Sequence, residues 1–292
     1  MLLAAARRRA VRIAAVVLIL AVTLTAWVVH GRSSPATRPT TTGSAEVDTD
    51  ALNRRLPFQR LLYLPSAAIL RVQRAEQRLT VACMRRHGFT FKPATSAASD
   101  EHPTPFGLES LAPQPPAASV PPERSRGEAF TRALYGDPDE RISAKGTMFK
   151  ISRPADGCQA EAEKRLLGNS RLRWLQLRIR LGEGEKEARD LLEKDGDYRA
   201  LQARWGRCMR QTGFQQKDPL SVLLSLPRGT QPAADAAARA DMRCKDATHY
   251  LPTAYNRLRV VQQDWLDDHS ATLAEWNRLQ THQDALARKV LA

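Results

Sequence analysis

A chain of 292 residues, 42% hydrophobic and 26% charged, carries enough apolar mass for a buried core, which excludes wholesale disorder. Lys+Arg 45 against Asp+Glu 31 gives a net charge of +14, a balance that invites a nucleic-acid reading. Six arginines and no acid fall within the first 40 residues, leaving 39 basic and 31 acidic residues elsewhere, so much of the excess is positional.

Arg7, Arg8, Arg9 and Arg12 precede seventeen uncharged positions, Ile13–Val29. A basic stretch ahead of an apolar run is read by the export machinery rather than by the fold. Its length lies at the lower edge of what crosses ~30 Å of hydrocarbon. The expectation for residues 1–29 is an uncleaved signal anchor, with the N-terminus cytoplasmic by the positive-inside bias. A cleaved signal peptide, and hence a secreted protein, is the alternative. No cysteine near the segment offers a lipoprotein anchor. Residues 30–50, HGRSSPATRPTTTGSAEVDTD, hold almost nothing apolar and read as a flexible linker.

The rest is predicted to be an all-α extracytoplasmic body of two related helical units, 51–167 and 168–292. Ser66 caps a helix to about His87, with Ile69, Val72, Leu79 and Cys83 on one stripe, and Gly88 and Phe89 end it. Residues 93–122 hold eight of the chain's 18 prolines and read as an extended spacer loop. After Asp156, the residues Cys158, Ala162 and Leu166 share a helical face. Leu175–Leu181, LQLRIRL, alternates as a strand does. As a helix it has two opposed apolar stripes, Leu172/Leu175/Ile179 and Trp174/Leu177/Leu181. A helix is expected because partner strands are scarce, 147–152 (TMFKIS) being the one modest candidate.

Asp197 is the expected cap of a helix carrying Leu201, Trp205 and Cys208, closed by Gly213 and Phe214. Ala240, Cys244 and Leu251 share a face in the alanine-rich segment that follows. Leu258, Val261, Trp265, Trp276, Leu279, Leu286 and Val290 then predict one long amphipathic C-terminal helix, hinged near Pro252. Trp265 and Trp276, eleven residues apart, would lie on one stripe and could face a partner.

A repeat carries the cysteines. Cys83-Met84-Arg85-Arg86-His87-Gly88-Phe89 recurs as Cys208-Met209-Arg210-Gln211-Thr212-Gly213-Phe214, identical at five of seven positions. One further cysteine follows each copy, Cys158 and Cys244. Four cysteines in an exported chain suggest two disulfides, with three possible connectivities. The repeat selects Cys83–Cys158 and Cys208–Cys244, which gives each unit its own bridge. Zinc is a rival, though no C-x2-C knuckle is present, and free thiols are the third possibility.

At these residues the chain resembles a group of uncharacterised secreted or membrane-anchored actinobacterial proteins. Trp205-Gly206-Arg207-Cys208-Met209-Arg210-Gln211-Thr212-Gly213-Phe214 fits their W-x2-C-M-x3-G-[FY] signature. Asp197-Tyr198-Arg199, Ala240–Lys245 and Tyr135-Gly136-Asp137-Pro138 look like further parts of the pattern. The resemblance implies an extracytoplasmic location and carries no activity. Unlike many members, this chain lacks a lipobox cysteine.

Signals for chemistry are sparse. No H-E-x-x-H, G-x-S-x-G, Ser-x-x-Lys or phosphate-binding loop occurs. Asp267-Asp268-His269 is the one dense acid–histidine cluster and reads as a solvated helix face. The basic run at 164–180 (Lys164, Arg165, Arg171, Arg173, Arg178, Arg180) places its arginines on opposite helix sides, so ordinary solvation is expected. The expected function is therefore a non-enzymatic interaction or scaffold module on the extracytoplasmic side. Its partners would be the membrane, through the N-terminal segment, and an envelope protein or anionic wall polymer. Trp205, Trp265 and Trp276 are the expected interaction residues, and no catalytic residue, metal, cofactor or nucleic acid is expected. The alternatives are a wall hydrolase on unidentified carboxylates and a small-ligand binding protein.

Overall fold

A computed structural model of the chain describes residues 47–93, 104–113, 127–227 and 229–292. The expected signal anchor and most of the linker lie outside the described residues. Among the described residues no helix is long and apolar enough to cross a membrane. The described chain is mostly helical and is held by two disulfides, Cys83–Cys158 and Cys208–Cys244.

The duplicated heptapeptide is a helix-ending device. Helix α1 (Thr49–Arg54) is followed by a π-helical turn (Gln59–Tyr63) and by α2 (Ala67–Arg86), which Ser66 caps by accepting from the Ile69 N–H. At its end the Phe89 N–H reaches the Met84 carbonyl and the Gly88 N–H the Arg85 carbonyl, with Gly88 at φ +81. In α6 (Gly196–Gln211) Phe214 bonds Met209 and Gly213 bonds Arg210 in the same way, with Gly213 at φ +89. Both are Schellman ends, in which only glycine takes the left-handed position without strain. Met84 and Met209 are buried, and each cysteine one residue earlier bridges to a neighbouring helix. The N-cap of α6 is Asp195, which accepts from the Tyr198 N–H, not Asp197. Asp195 also binds Arg257, so a tertiary contact selects it over its neighbour.

The all-α expectation needs one correction. After α3 (Glu128–Tyr135), strands β1 (Arg141–Lys145) and β2 (Lys150–Pro154) pair antiparallel, with Ser143 opposite Ser152. The reason lies in α5 (Arg171–Leu192), which LQLRIRL enters as a helix. Its Leu177 and Leu181 pack with Phe58, Trp265 and Trp276, while Leu175 and Ile179 meet Ala144, Ile142 and Ile151 of the hairpin. A helix with two opposed apolar stripes needs cover on both sides, and the hairpin supplies the second. The apparent strand alternation is the signature of that double burial.

Helix α4 (Gly157–Leu167) lies against α2 and buries Cys158, Ala162 and Leu166. Beyond α6 come the short α7 (Pro219–Ser225), α8 (Ala236–Ala247), α9 (Tyr250–Asp268) and α10 (Ser270–Leu291). Leu251 belongs to α9, so it does not continue the face of Ala240 and Cys244 in α8. The long C-terminal helix is broken at His269 rather than hinged at Pro252, which sits harmlessly in the first turn of α9. The His269 ring stacks on Trp265 at 3.8 Å and its Nδ1 lies 2.8 Å from the Trp265 carbonyl, capturing an acceptor at the helix end. The direction then changes: α9 packs on α5, α6 and α8, and α10 on α2 and α4. Because α10 closes over helices of the first expected unit, a boundary at 167/168 does not divide the body, and all described residues belong to one compact unit.

The proline-rich stretch is not simply a spacer. Residues 104–113 run into the core, where Phe106 lies 5.1 to 6.2 Å from the rings of Tyr255, Tyr198 and Tyr250. Gly107 has φ +75, and a Cβ there would meet the Pro219 carbonyl oxygen at 2.2 Å. The remainder of 93–122, apart from Pro93, lies outside the described residues.

Candidate functional site

Three places gather functional groups: the cysteine motif, the Trp265 cluster and a groove beside the hairpin. Behind the second bridge, Trp205 Nε1 donates to Asp241 Oδ1 at 2.9 Å and Lys245 Nζ to Asp241 Oδ2 at 2.7 Å. Lys245 also donates to the Leu108 carbonyl. Burial pushes Asp241 up and Lys245 down, while the hydrogen bonds between them oppose both shifts. Glu109 accepts the Tyr255 hydroxyl on both oxygens at 2.8 Å, and burial pushes its carboxyl up to about 7. The motif residues Trp205, Cys208, Met209, Asp241, Cys244 and Lys245 thus build one closed interior network. Through Lys245 they hold the Leu108 carbonyl, and all but the partly buried Cys208 are closed off from solvent.

Trp205, Trp265 and Trp276 are 1%, 4% and 5% exposed, which corrects their expected role as interaction residues. An apolar stripe states that a side must be covered, and here the body itself covers it. Trp265 donates to Glu187 at 2.8 Å, carries Arg180 4.7 Å from its ring centroid, and stacks on His269. Asp267 and Asp268 form no acid–base pair with His269; its Nε2 lies 2.8 Å from Arg180, and a proton on Nδ1 satisfies both ring contacts.

Half of the basic run at 164–180 is also structural. Arg171, Arg173 and Arg180 bind Glu163, Glu275 and Glu187 at 2.8, 2.5 and 2.7 Å, so solvation is not their main use. His87, Cys83 and Cys158 bring ligand-type atoms within 4.8 Å of one another, but both sulfurs are bonded in the disulfide and offer no thiolate.

The open site lies beside the hairpin, along the α5 face that carries Trp174, Gly182 and Lys186. A groove of about 770 Å³ runs between them, floored by Trp174, Leu175, Ile179 and Ile151. Its rim carries Lys150, Arg153, Arg178 and Lys186. The hairpin tip adds Met148 and Phe149, 44% and 47% exposed. These two are not loose: Glu183, 3% exposed, accepts the Met148 N–H at 2.7 Å. Further donors from Thr147 and Phe149 hold its carboxyl below the usual range. A Cβ on Gly146 would meet the Glu183 Oε1 at 2.2 Å, so the turn depends on glycine there.

At the far end, Tyr63 donates to Glu185 at 2.7 Å, with Arg178 5.6 Å from its ring centroid; burial and the Glu185 carboxylate push Tyr63 up to about 12. The indole N–H of Trp174, which lines the groove, is buried without an acceptor among the described residues. An apolar floor and a cationic rim together suit an amphipathic ligand carrying negative charge. Sequence reading passed over Met148, Phe149 and Glu183; the 147–152 strand candidate was the nearest signal. Comparison of the chain with protein-family models, curated proteins and solved structures finds no match.

Proposed function

We propose that this protein is a membrane-tethered, extracytoplasmic interaction module without catalytic activity, which holds an envelope partner in the hairpin groove. The carrying observation is that a buried carboxylate, Glu183, fixes a turn presenting Met148 and Phe149 to solvent at the groove's edge. Exposed large apolar side chains cost solubility, and a rigid support for them argues for a use. Two disulfides suit an oxidising compartment, and the run Ile13–Val29 suits export and anchoring. The cationic rim favours a partner surface, protein or wall polymer, with acidic groups flanking an apolar one.

A hydrolase reading finds one point of support. Burial and the neighbouring Glu163 push the Glu76 carboxyl up to about 7, as a general acid requires. Glu163, however, is held by Arg153 and Arg171, and neither acid lines the groove.

The test compares capture from cell envelopes by the wild-type chain and by Met148→Ser/Phe149→Ser. A partner bound by the first and lost by the second, at unchanged melting temperature, supports the reading. Partners indifferent to the double change, or release of soluble fragments from wall polymer by the wild type, would overturn it. A reporter fused after Asp50 that works only outside the membrane should be active.

A further inference from the structure

A second cavity, of about 750 Å³, opens on another face, between the end of α1, the π-helical turn, α9 and the start of α10. Its lining comprises four arginines, Arg54, Arg55, Arg60 and Arg259, with Gln263, over Pro57, Leu61, Leu266 and Leu273. No acid is in that lining. Among the described residues, none of the four guanidiniums has a carboxylate partner; Arg259 donates to the Asn256 side chain at 3.3 Å. Other arginines, Arg71, Arg86, Arg153, Arg171, Arg173, Arg180 and Arg257 among them, are paired with acids, and others are not; what marks these four is that they line one cavity together. With four cations and no acid in one lining, a bound anion would meet attraction from several sides.

The site is also supported from beneath. Phe58, fully buried, packs 5.4 Å from Trp265 and donates its N–H to Gln262 at 3.3 Å, which anchors the turn presenting Arg60 and Leu61. π-helical turns are rare and recur at functional positions.

We infer that this arginine cavity binds the phosphate headgroup of an anionic membrane lipid. Arginine is the side chain that best matches phosphate oxygens, and the apolar floor suits the glycerol and first acyl carbons beyond it. The cavity is far larger than inorganic phosphate needs. The order of the chain supplies the source: Arg54 follows the apolar run Ile13–Val29 by 25 residues. Seventeen residues, 30–46, separate that run from the described body, a contour of at most about 60 Å, so anchoring there would hold the body close to a bilayer. The inference rests on the anchoring part of the proposed function and is independent of the hairpin groove.

The full chain in a neutral detergent is titrated with phosphatidylglycerol or phosphatidylcholine, and separately with glycerol phosphate, inorganic phosphate and a soluble polyphosphate. Melting temperature and amide-exchange protection over 54–61 and 259–273 are read. Phosphatidylglycerol should raise both, and phosphatidylcholine and the soluble anions should not. Arg60→Gln/Arg259→Gln should weaken the response about tenfold or more, with Arg54→Gln/Arg55→Gln as a second pair should the first lower the lipid-free melting temperature. Met148→Ser/Phe149→Ser should respond as wild type, which separates this site from the groove. An equal response to phosphatidylcholine overturns the inference, and so does one carried by glycerol phosphate, phosphate or polyphosphate. Indifference to both arginine pairs does the same.

Discussion

Buried ionisable groups in this protein specify an arrangement more than they stabilise it. Asp241 and Lys245 are each removed from water, a cost that their mutual attraction only partly offsets. Their use is directional: Asp241 fixes the Trp205 indole, and Lys245 fixes the Leu108 carbonyl from a distant part of the chain. Glu109 completes the set and makes it pH-sensitive. Its carboxyl binds a proton more tightly when folded, with a value of about 7 against 4.5 for a solvated glutamate. A raised value means that the folded state is favoured at low pH, and that this advantage is lost as pH rises from 4.5 through 7. Glu109→Gln should flatten stability across that window, by on the order of 2 kcal/mol, while Tyr255 keeps an acceptor. Urea unfolding at pH 5 and pH 8 measures it. An unchanged difference between the two would show that Glu109 is ionised throughout.

At the level of elements, α5 and α9 meet through the absence of a side chain. A Cβ on Gly184 would lie 2.3 Å from the Trp265 ring, and Trp265 in turn carries Arg180, Glu187 and His269. The glycine costs helix propensity, about 1 kcal/mol relative to alanine, and its cause is this close approach. Gly184→Ala should therefore destabilise the protein, by roughly 1–3 kcal/mol through overpacking, despite the better helix former. At Gly182 a methyl group would meet only a flexible Arg178 atom, 3.9 Å away, so Gly182→Ala should stabilise the protein. Thermal melts of the two variants should move in opposite directions. Shifts of the same sign would show that the Trp265 cluster yields to accommodate a methyl group.

Across the whole molecule, the two bridges tie regions that secondary structure alone leaves apart. Cys83–Cys158 closes a 75-residue loop that contains the core-bound segment 104–113, and Cys208–Cys244 closes one of 36 residues around α7. Chain-entropy reasoning gives about 4 kcal/mol for each. Replacing either pair by alanine should lower the urea midpoint by an amount equivalent to ~2–5 kcal/mol and steepen the slope, because the unlinked unfolded chain exposes more surface. A loss well under 1 kcal/mol would mean that packing already restrains that loop in the unfolded ensemble.

What the sequence determined by itself is local or repeated. The Ser66 cap, both Schellman ends, the helical content and the two opposed stripes of α5 arise from neighbours within a few turns, so propensity and spacing reveal them. The pairing suggested by the duplicated heptapeptide is legible for the same reason, because repetition marks equivalent positions. Tertiary structure alone decided what covers each apolar face. Nothing within LQLRIRL announces a hairpin over one stripe, and nothing in Pro105-Phe106-Gly107-Leu108-Glu109 announces a path through the core. Trp265 and Trp276 share a stripe only if the helix continues past His269, and the chain turns there, with the His269 ring beside its own N–H on the Trp265 carbonyl and stacked on the indole. The open groove and the arginine cavity are likewise products of assembly, since each is lined from segments far apart in the chain. A hydrophobic pattern states how much surface must leave water; only packing states which neighbour removes it.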